Sequence, residues 1–284
     1  GSLGNLGNIA RQQGDYATAR LLLEECLARF KALGNLRGVA ITLLNLGAIV
    51  HEQKDYQAAR MLYEESLTMH QEIGDQHSVA KLFVNLGNLS AEQDEFTLAH
   101  AYYEKGLAIQ RQLGDKEGIA TTLLNQGITA FEEGKYEQAK EFCEEALPLQ
   151  EEVGEKWGIA HSLLYLGNVA LAQEDYTMAR TFYRQGLVLQ QALEDKRLII
   201  SSLEAFAALA LAGHNAEQAV QLFARAESLR EAIKLPISTR DQVDYDHHLA
   251  SARANLGEEA FSTAWATGQA MTLEQVIALA LQET

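Results

Sequence analysis

The sequence predicts an all-α protein, a solenoid of helix-turn-helix hairpins closed at its C-terminal end by a helical cap. Two observations predict it. A motif recurs every forty residues, as Leu6-Gly7-Asn8, Leu46-Gly47-Ala48, Leu86-Gly87-Asn88, Gln126-Gly127-Ile128 and Leu166-Gly167-Asn168, and its register does not slip. Within each unit the apolar residues fall three and four apart, interrupted once by a turn, which is the pattern of two amphipathic helices. A strict period of this length means supersecondary units packed each on its neighbours, which favours an extended binding surface over a closed active-site pocket.

The elements follow in chain order. The chain opens inside a truncated first unit, so it is expected to be a fragment of a longer protein whose missing N-terminal domains it contacts. In the unit from Asn35 to Ile73, Val39, Leu43, Leu46, Gly47 and Val50 form one helical stripe, and after a break at Gln53-Lys54-Asp55, Tyr56, Ala59, Tyr63 and Leu67 form a second. Asp15, Asp55 and Asp175 sit just before the second helix, where a carboxylate accepts from exposed N–H groups and suits the positive helix end. Gly34, Gly74, Gly114 and Gly154 stand where that helix should stop. Glycines 7, 47, 87, 127 and 167 and alanines 19, 59, 99, 139 and 179 form rows of small residues that let helices approach closely. Tyr16, Tyr56, Phe96, Tyr136 and Tyr176, with Tyr63, Tyr103 and Tyr183, are expected to fill the core between hairpins. Pro148 lies inside a second helix, where it removes one hydrogen bond and is expected to kink the chain.

The sixth unit, about Lys196 to Ile233, is degenerate: Ala207 replaces the glycine and Asn215-Ala216 the acid-aromatic pair, while Ala219 and Phe223 remain. Lys234-Leu235-Pro236 then breaks the helix. The repeat array is therefore assigned to residues 1–233 and the cap to 234–284, with three helices near 241–256, 258–267 and 273–282 separated by Gly257 and Gly268. Thr272 and Gln275 offer a capping box for the last.

Composition narrows the function. The 23 basic and 39 acidic residues give a formal charge of −16, the wrong sign for a phosphate backbone, so no direct nucleic acid partner is expected. Acid pairs at Glu24-Glu25, Glu64-Glu65 and Glu144-Glu145 read as a solvated face. Cys26 and Cys143 read as reduced packing residues. No apolar run approaches the roughly twenty residues a membrane span needs, and no signal peptide opens the chain, so the expected compartment is the cytoplasm, with no membrane partner. There is no phosphate-binding Gly-Lys-Thr loop, nucleophile elbow or zinc-protease helix, and no cofactor is expected. Asp244, Asp246, His247 and His248 suggest a metal, but adjacent histidines on a helix point about 100° apart.

Asn5-Leu6-Gly7-Asn8 and Gly14-Asp15-Tyr16, repeated along the chain, resemble the tetratricopeptide repeat family over residues 1 to about 233. The forty-residue unit is longer than the common one of about 34 and looks like that of kinesin light chains, spindle-orientation adaptors and bacterial signalling ATPases and regulators. Leu256-Gly257-Glu258-Glu259-Ala260-Phe261, Trp265 and Thr272-Leu273-Glu274 resemble the ends of large bacterial signalling proteins of that kind. The resemblance implies a right-handed α-solenoid whose first helices line a concave groove holding a protein or peptide segment, with no catalysis.

The rows along that groove follow from the spacing. Asn5, Asn45, Asn85 and Asn125 precede Leu-Gly, or Gln-Gly in the fourth unit, with Tyr165 next in the row; Asn8, Asn88 and Asn168 follow the glycine. The resemblance implies that these amides hydrogen-bond an extended peptide; the alternative is that they bond to neighbouring helices. Next come Arg11, His51, Ala91, Phe131, Leu171 and Leu211, beside Glu52, Glu92, Glu132, Ala172 and Ala212. The expectation is a groove wet and acidic along Glu52, Glu92 and Glu132 and apolar around Phe131, Leu171 and Leu211, fitting a partner with basic or polar residues at one end and an apolar anchor at the other. The late apolar positions have a second explanation, packing beneath the cap. Only Lys81 and His161 lie near the row Leu44, Val84, Leu124 and Leu164, so the positive clamp that some relatives use for a C-terminal carboxylate is missing. Two functions remain open, the sensor or scaffold part of a larger bacterial cytoplasmic signalling protein and a self-contained peptide-binding adaptor.

Overall fold

The computed structural model describes residues 2–237 and 239–282, and among these it contains fifteen α-helices and no strand. Two compact units emerge, residues 1–129 and 130–284. In the first, α1 (Ser2–Gln12) pairs with α2 (Tyr16–Ala32), α3 (Leu36–Glu52) with α4 (Tyr56–Ile73), and α5 (Gln76–Ala91) with α6 (Phe96–Leu113). The helix α7 (Lys116–Glu132) carries the boundary. In the second unit α8 (Tyr136–Val153) packs on α9 (Lys156–Ala172), α9 on α10 (Tyr176–Leu193), and α11 (Lys196–Ala212) on α12 (Ala216–Ala232). Three further helices, α13 (Thr239–Leu256), α14 (Glu258–Ala270) and α15 (Leu273–Ala280), pack on α12.

The turn chemistry is the one the spacing implies, with an addition. Asp15, Asp55 and Asp175 accept from the N–H groups of Thr18, Ala58 and Met178 at 3.0, 3.2 and 3.0 Å, starting the second helix of their hairpins. Asn35, Asp75, Asp115 and Asp195 do the same for the first helices, accepting from Gly38, Ser78, Gly118 and Leu198 at 2.9, 3.2, 2.9 and 3.1 Å. Gly74, Gly114 and Gly154, at φ 77, 67 and 72, end the preceding helices in the left-handed conformation. Each link between hairpins thus joins a helix stop directly to a helix start.

The alanine row is sealed: Ala19, Ala59, Ala99, Ala139 and Ala179 are all at 0% exposure. The aromatic expectation needs correction. Tyr63, Tyr103 and Tyr183 are fully buried, but Tyr136 and Tyr176 are exposed and Tyr16, Tyr56 and Phe96 half-buried, because the first turn of the second helix lies at the hairpin rim. The acid pairs Glu24-Glu25, Glu64-Glu65 and Glu144-Glu145 are exposed, and both cysteines are buried and unbridged. Pro148 sits on the exposed side of α8, which continues through it to Val153.

The cap differs from expectation at Gly268. It does not separate two helices: α14 runs past it to Ala270, and Gly268 is buried where a Cβ would collide with the backbone of Gln221. Glycine there permits α14 to cross α12 at backbone distance. Thr272 and Gln275 form the expected capping box, with Thr272 N–H donating to Gln275 Oε1 at 2.8 Å.

Candidate functional site

The motif glycines show what the first helices can offer a ligand. A Cβ added at Gly47 or Gly87 would stand 2.6 or 2.5 Å from the ring of Tyr63 or Tyr103, and one at Gly167 would collide with Tyr183. The tyrosine of the second helix therefore lies flat on the glycine of the first. Its hydroxyl emerges beside the next residue, and where that residue is asparagine it is used: Tyr103 donates to Asn88 Oδ1 and Tyr183 to Asn168 Oδ1, each at 2.8 Å. The hairpin with Ala48 lacks that acceptor, and Tyr63 hydroxyl instead lies 3.5 Å from His51 Nδ1. Where Leu23 or Cys143 replaces the tyrosine, the glycine-flanking residue is Asn8 or Ile128. The Oδ1 atoms of Asn88 and Asn168 thus lock their own hairpins.

In residues 1–129 the first helix α1 touches the next first helix, α3. Asn45, Asn85 and Asn125 are half-buried at the same turn of α3, α5 and α7, Asn8 is half-buried, and Asn5 is exposed. Arg11 pairs with Glu52, and His51 Nε2 lies 3.1 Å from Glu92 Oε1. Glu92 is pushed up by burial, but the hydrogen bond and charge of His51, the Tyr56 hydroxyl and the Lys54 charge together hold it below the usual carboxylate range. The expected open acidic strip is therefore bridged from one hairpin to the next, by an ion pair at Glu52 and a hydrogen bond at Glu92. Lys81 is exposed on α5.

Residues 130–284 hold a different surface. A cavity of about 560 Å³ opens between α9, α11 and α13, and Phe131, His161, Asn168 and Leu171 all line it. Glu132 is exposed at the end of α7, beside Phe131. His161, Tyr165, Asn168 and Leu171 follow one another at helical spacing along α9, so a single helix face supplies that wall. Phe131 meets Tyr165 edge-on at 5.8 Å, and Trp157 stacks on His161 at 4.1 Å while donating to Asp195 Oδ2 at 3.2 Å. Burial holds His161 down at about 4 against the opposing pull of Asp195, so its ring is neutral at pH 7. Opposite stand Glu204, paired with Arg230, and the α13 residues Asp241, Asp244, Tyr245 and His248. Tyr245 donates to Glu227 Oε2 at 3.0 Å, fixing the α13 wall to α12. Leu171 and Leu211 are partly buried against the core beneath the cap.

The α13 wall is what the repeat could not reveal, since it lies outside the period; the signal was the Asp244 to His248 cluster. Among the described residues no three His, Cys, Asp or Glu side chains come together to hold a metal ion. Cys143 is pushed up to about 12 by burial, with Glu144 adding to the effect, so it presents no thiolate at neutral pH. Among the described residues no helix is long and apolar enough to cross a membrane.

The sequence profile described as Tetratricopeptide repeat matches residues 2–72 and 78–152. None of the curated proteins matches. Among solved structures, the apo form of RapI superposes with a TM-score of 0.74 at 16% identity, covering 94% of this chain and 94% of that one. A Rap protein complexed with Competence and Sporulation Factor gives 0.73 at 13% identity, over 98% of this chain and 73% of that one. A signal transduction ATPase with a tetratricopeptide repeat sensor from Pyrococcus horikoshii gives 0.69 at 18% identity, over 97% of this chain but 43% of that one.

Proposed function

Because this chain belongs to the tetratricopeptide repeat family, we propose that it is a non-catalytic module that captures a peptide or protein segment along its first helices, as the sensor or scaffold part of a larger bacterial cytoplasmic signalling protein. One observation carries the reading: four residues assigned to the groove from the family resemblance and the repeat spacing, Phe131, His161, Asn168 and Leu171, line one cavity of about 560 Å³. That volume falls among pockets of roughly 300–1,000 Å³ that enclose organic ligands. Asparagines 45, 85 and 125 recur one per hairpin, matching the way an extended chain presents its backbone at regular intervals. The likeness to a Rap protein complexed with Competence and Sporulation Factor and to a signal transduction ATPase with a repeat sensor supports the sensor role. Signalling then requires that the ligand bind two arrangements of the repeats unequally.

Panning a phage-displayed random peptide library against the immobilised chain, then titrating a selected peptide by calorimetry, tests this. With about 1 kcal/mol per lost hydrogen bond, Asn45, Asn85 and Asn125 to Ala together should weaken binding about a hundredfold with the melting temperature retained. Equal affinity of the triple variant would remove the asparagines from the site.

A further inference from the structure

Asn168 is held in one of its two amide orientations. The fully buried Tyr183 ring lies flat on Gly167, and its hydroxyl donates to Asn168 Oδ1 at 2.8 Å. Burial pushes the Tyr183 phenol up, so the proton stays on it, and a buried hydroxyl must place that proton on an acceptor. Among the described residues Asn168 Oδ1 is the acceptor it has. Turning the amide over would put an N–H in the acceptor's place and leave the hydroxyl proton unmatched, the costly arrangement for a buried donor. What Asn168 has left for the cavity it lines is Nδ2, a donor with no partner among the described residues. Tyr103 and Asn88 repeat the arrangement within residues 1–129, also at 2.8 Å. The asparagines before the glycine differ. Among the described residues nothing hydrogen-bonds the side chains of Asn45, Asn85 and Asn125, so each can turn either end of its amide to a ligand.

We propose that Asn168 is a fixed donor for an uncharged acceptor, a backbone carbonyl of the captured peptide, and that Tyr183 is the positioning residue that makes it one. The proposal rests on the peptide-capture reading and divides the asparagines by role. Packing on Gly167 needs only a ring; the hydroxyl is what tyrosine adds, and Asn168 is what it acts on. An extended segment alternates N–H and C=O along its length, so a point that takes only carbonyls fixes where the segment sits and which way its backbone groups turn. Asn45, Asn85 and Asn125, free to present either end, adapt to the groups that follow. Phe131, Tyr165 and Leu171 line the same cavity, so the side chain beside the bound carbonyl meets an apolar wall.

The test uses the whole chain and a mixture of blocked random pentapeptides, with retention read by affinity selection and mass spectrometry. Tyr183→Phe keeps the ring and frees the amide. Asn168→Asp keeps the shape, still accepts from Tyr183 and removes the donor, while Asn168→Ala removes the whole group; thermal unfolding verifies each fold. Both Asn168 variants should cut retention at least about fivefold, the equivalent of one hydrogen bond. Tyr183→Phe should cut it by about threefold alone and not at all when combined with Asn168→Ala. Full retention by Asn168→Asp or by Tyr183→Phe, or an equal loss from Tyr183→Phe with and without Asn168, overturns the proposal while peptide capture stands. Asn168→Asp decides the donor by itself if Tyr183→Phe does not fold. If the unsubstituted chain retains no peptide, capture fails, and N-acetylphenylalanine N-methylamide titrated into the isotopically labelled chain decides the donor site separately. A shift of the Asn168 side-chain amide resonances that Tyr183→Phe abolishes keeps the site; no shift, or one that persists in Tyr183→Phe, overturns it as well.

Discussion

Gly87 and Tyr103 illustrate how one residue fixes its neighbour's role. The helix tolerates glycine at a cost of about 1 kcal/mol relative to alanine, and the ring of Tyr103 occupies the space a Cβ would need. Gly87→Ala should therefore destabilise the protein by about 1–2 kcal/mol, overpacking outweighing the gain in helix propensity. Gly4→Ala, whose Cβ would stand 3.8 Å from Cys26 Sγ, should be neutral or stabilising; urea midpoints of the two variants that moved together would contradict this. The tyrosine row was legible in the period, but its hydrogen bond to Asn88 and Asn168 was not, since spacing on one helix says nothing of which hydroxyl crosses from the next. His161 gives a residue-scale pH dependence. Its folded value of about 4 lies below the ordinary 6.5, so its contribution is complete above about pH 6.5 and is lost as pH falls towards 4. His161→Phe keeps a ring on Trp157 and removes the proton site. Its denaturation midpoint should fall less steeply than the wild type's between pH 6.5 and 4, and parallel curves would show that His161 is not the group responsible.

Most of the hairpin helices begin or end where turn chemistry dictates, and this is the part of the fold most readable from residues. Asp55 and Asp175 cap as expected; the starts at Asn35, Asp75 and Asp115 are as clear in hindsight, each following a glycine stop. The position that ends α10 departs from the pattern, because Glu194 adopts φ 53 where glycine stands at 74, 114 and 154. Nothing lies within 4 Å of a Cβ built at Gly114, so Gly114→Ala meets a conformational cost alone, about 1 kcal/mol, whereas Glu194→Ala, already left-handed without glycine, should be near neutral. Thermal unfolding of the pair checks it, and equal losses would contradict the account of the caps. The cap helices were only partly readable. Gly268 looked like a boundary because a glycine in sequence carries no sign of whether it ends a helix or lets another pass, and here the backbone of Gln221 decides.

For the whole molecule, the forty-residue period announced a hairpin repeat because every unit must bury the same face on its neighbours, so composition at each position is constrained again and again. A binding surface is constrained only by its ligand, which explains why its chemistry was less legible than the fold: Glu52 turned out to pair with Arg11 and Glu92 to hydrogen-bond His51 across hairpins, and the cavity borrows Asp241, Asp244 and Tyr245 from outside the period. The central claim is that the first-helix face, not the solvated second-helix face, captures a peptide. Titrating a selected peptide into the isotopically labelled chain and following backbone amide resonances tests it most directly. The account predicts the largest shifts along the first helices, at Asn45, Asn85, Tyr165, Asn168 and their neighbours, with Glu64, Glu65, Glu144 and Glu145 unmoved. Shifts concentrated on the second helices, with the first-helix rows silent, would contradict it.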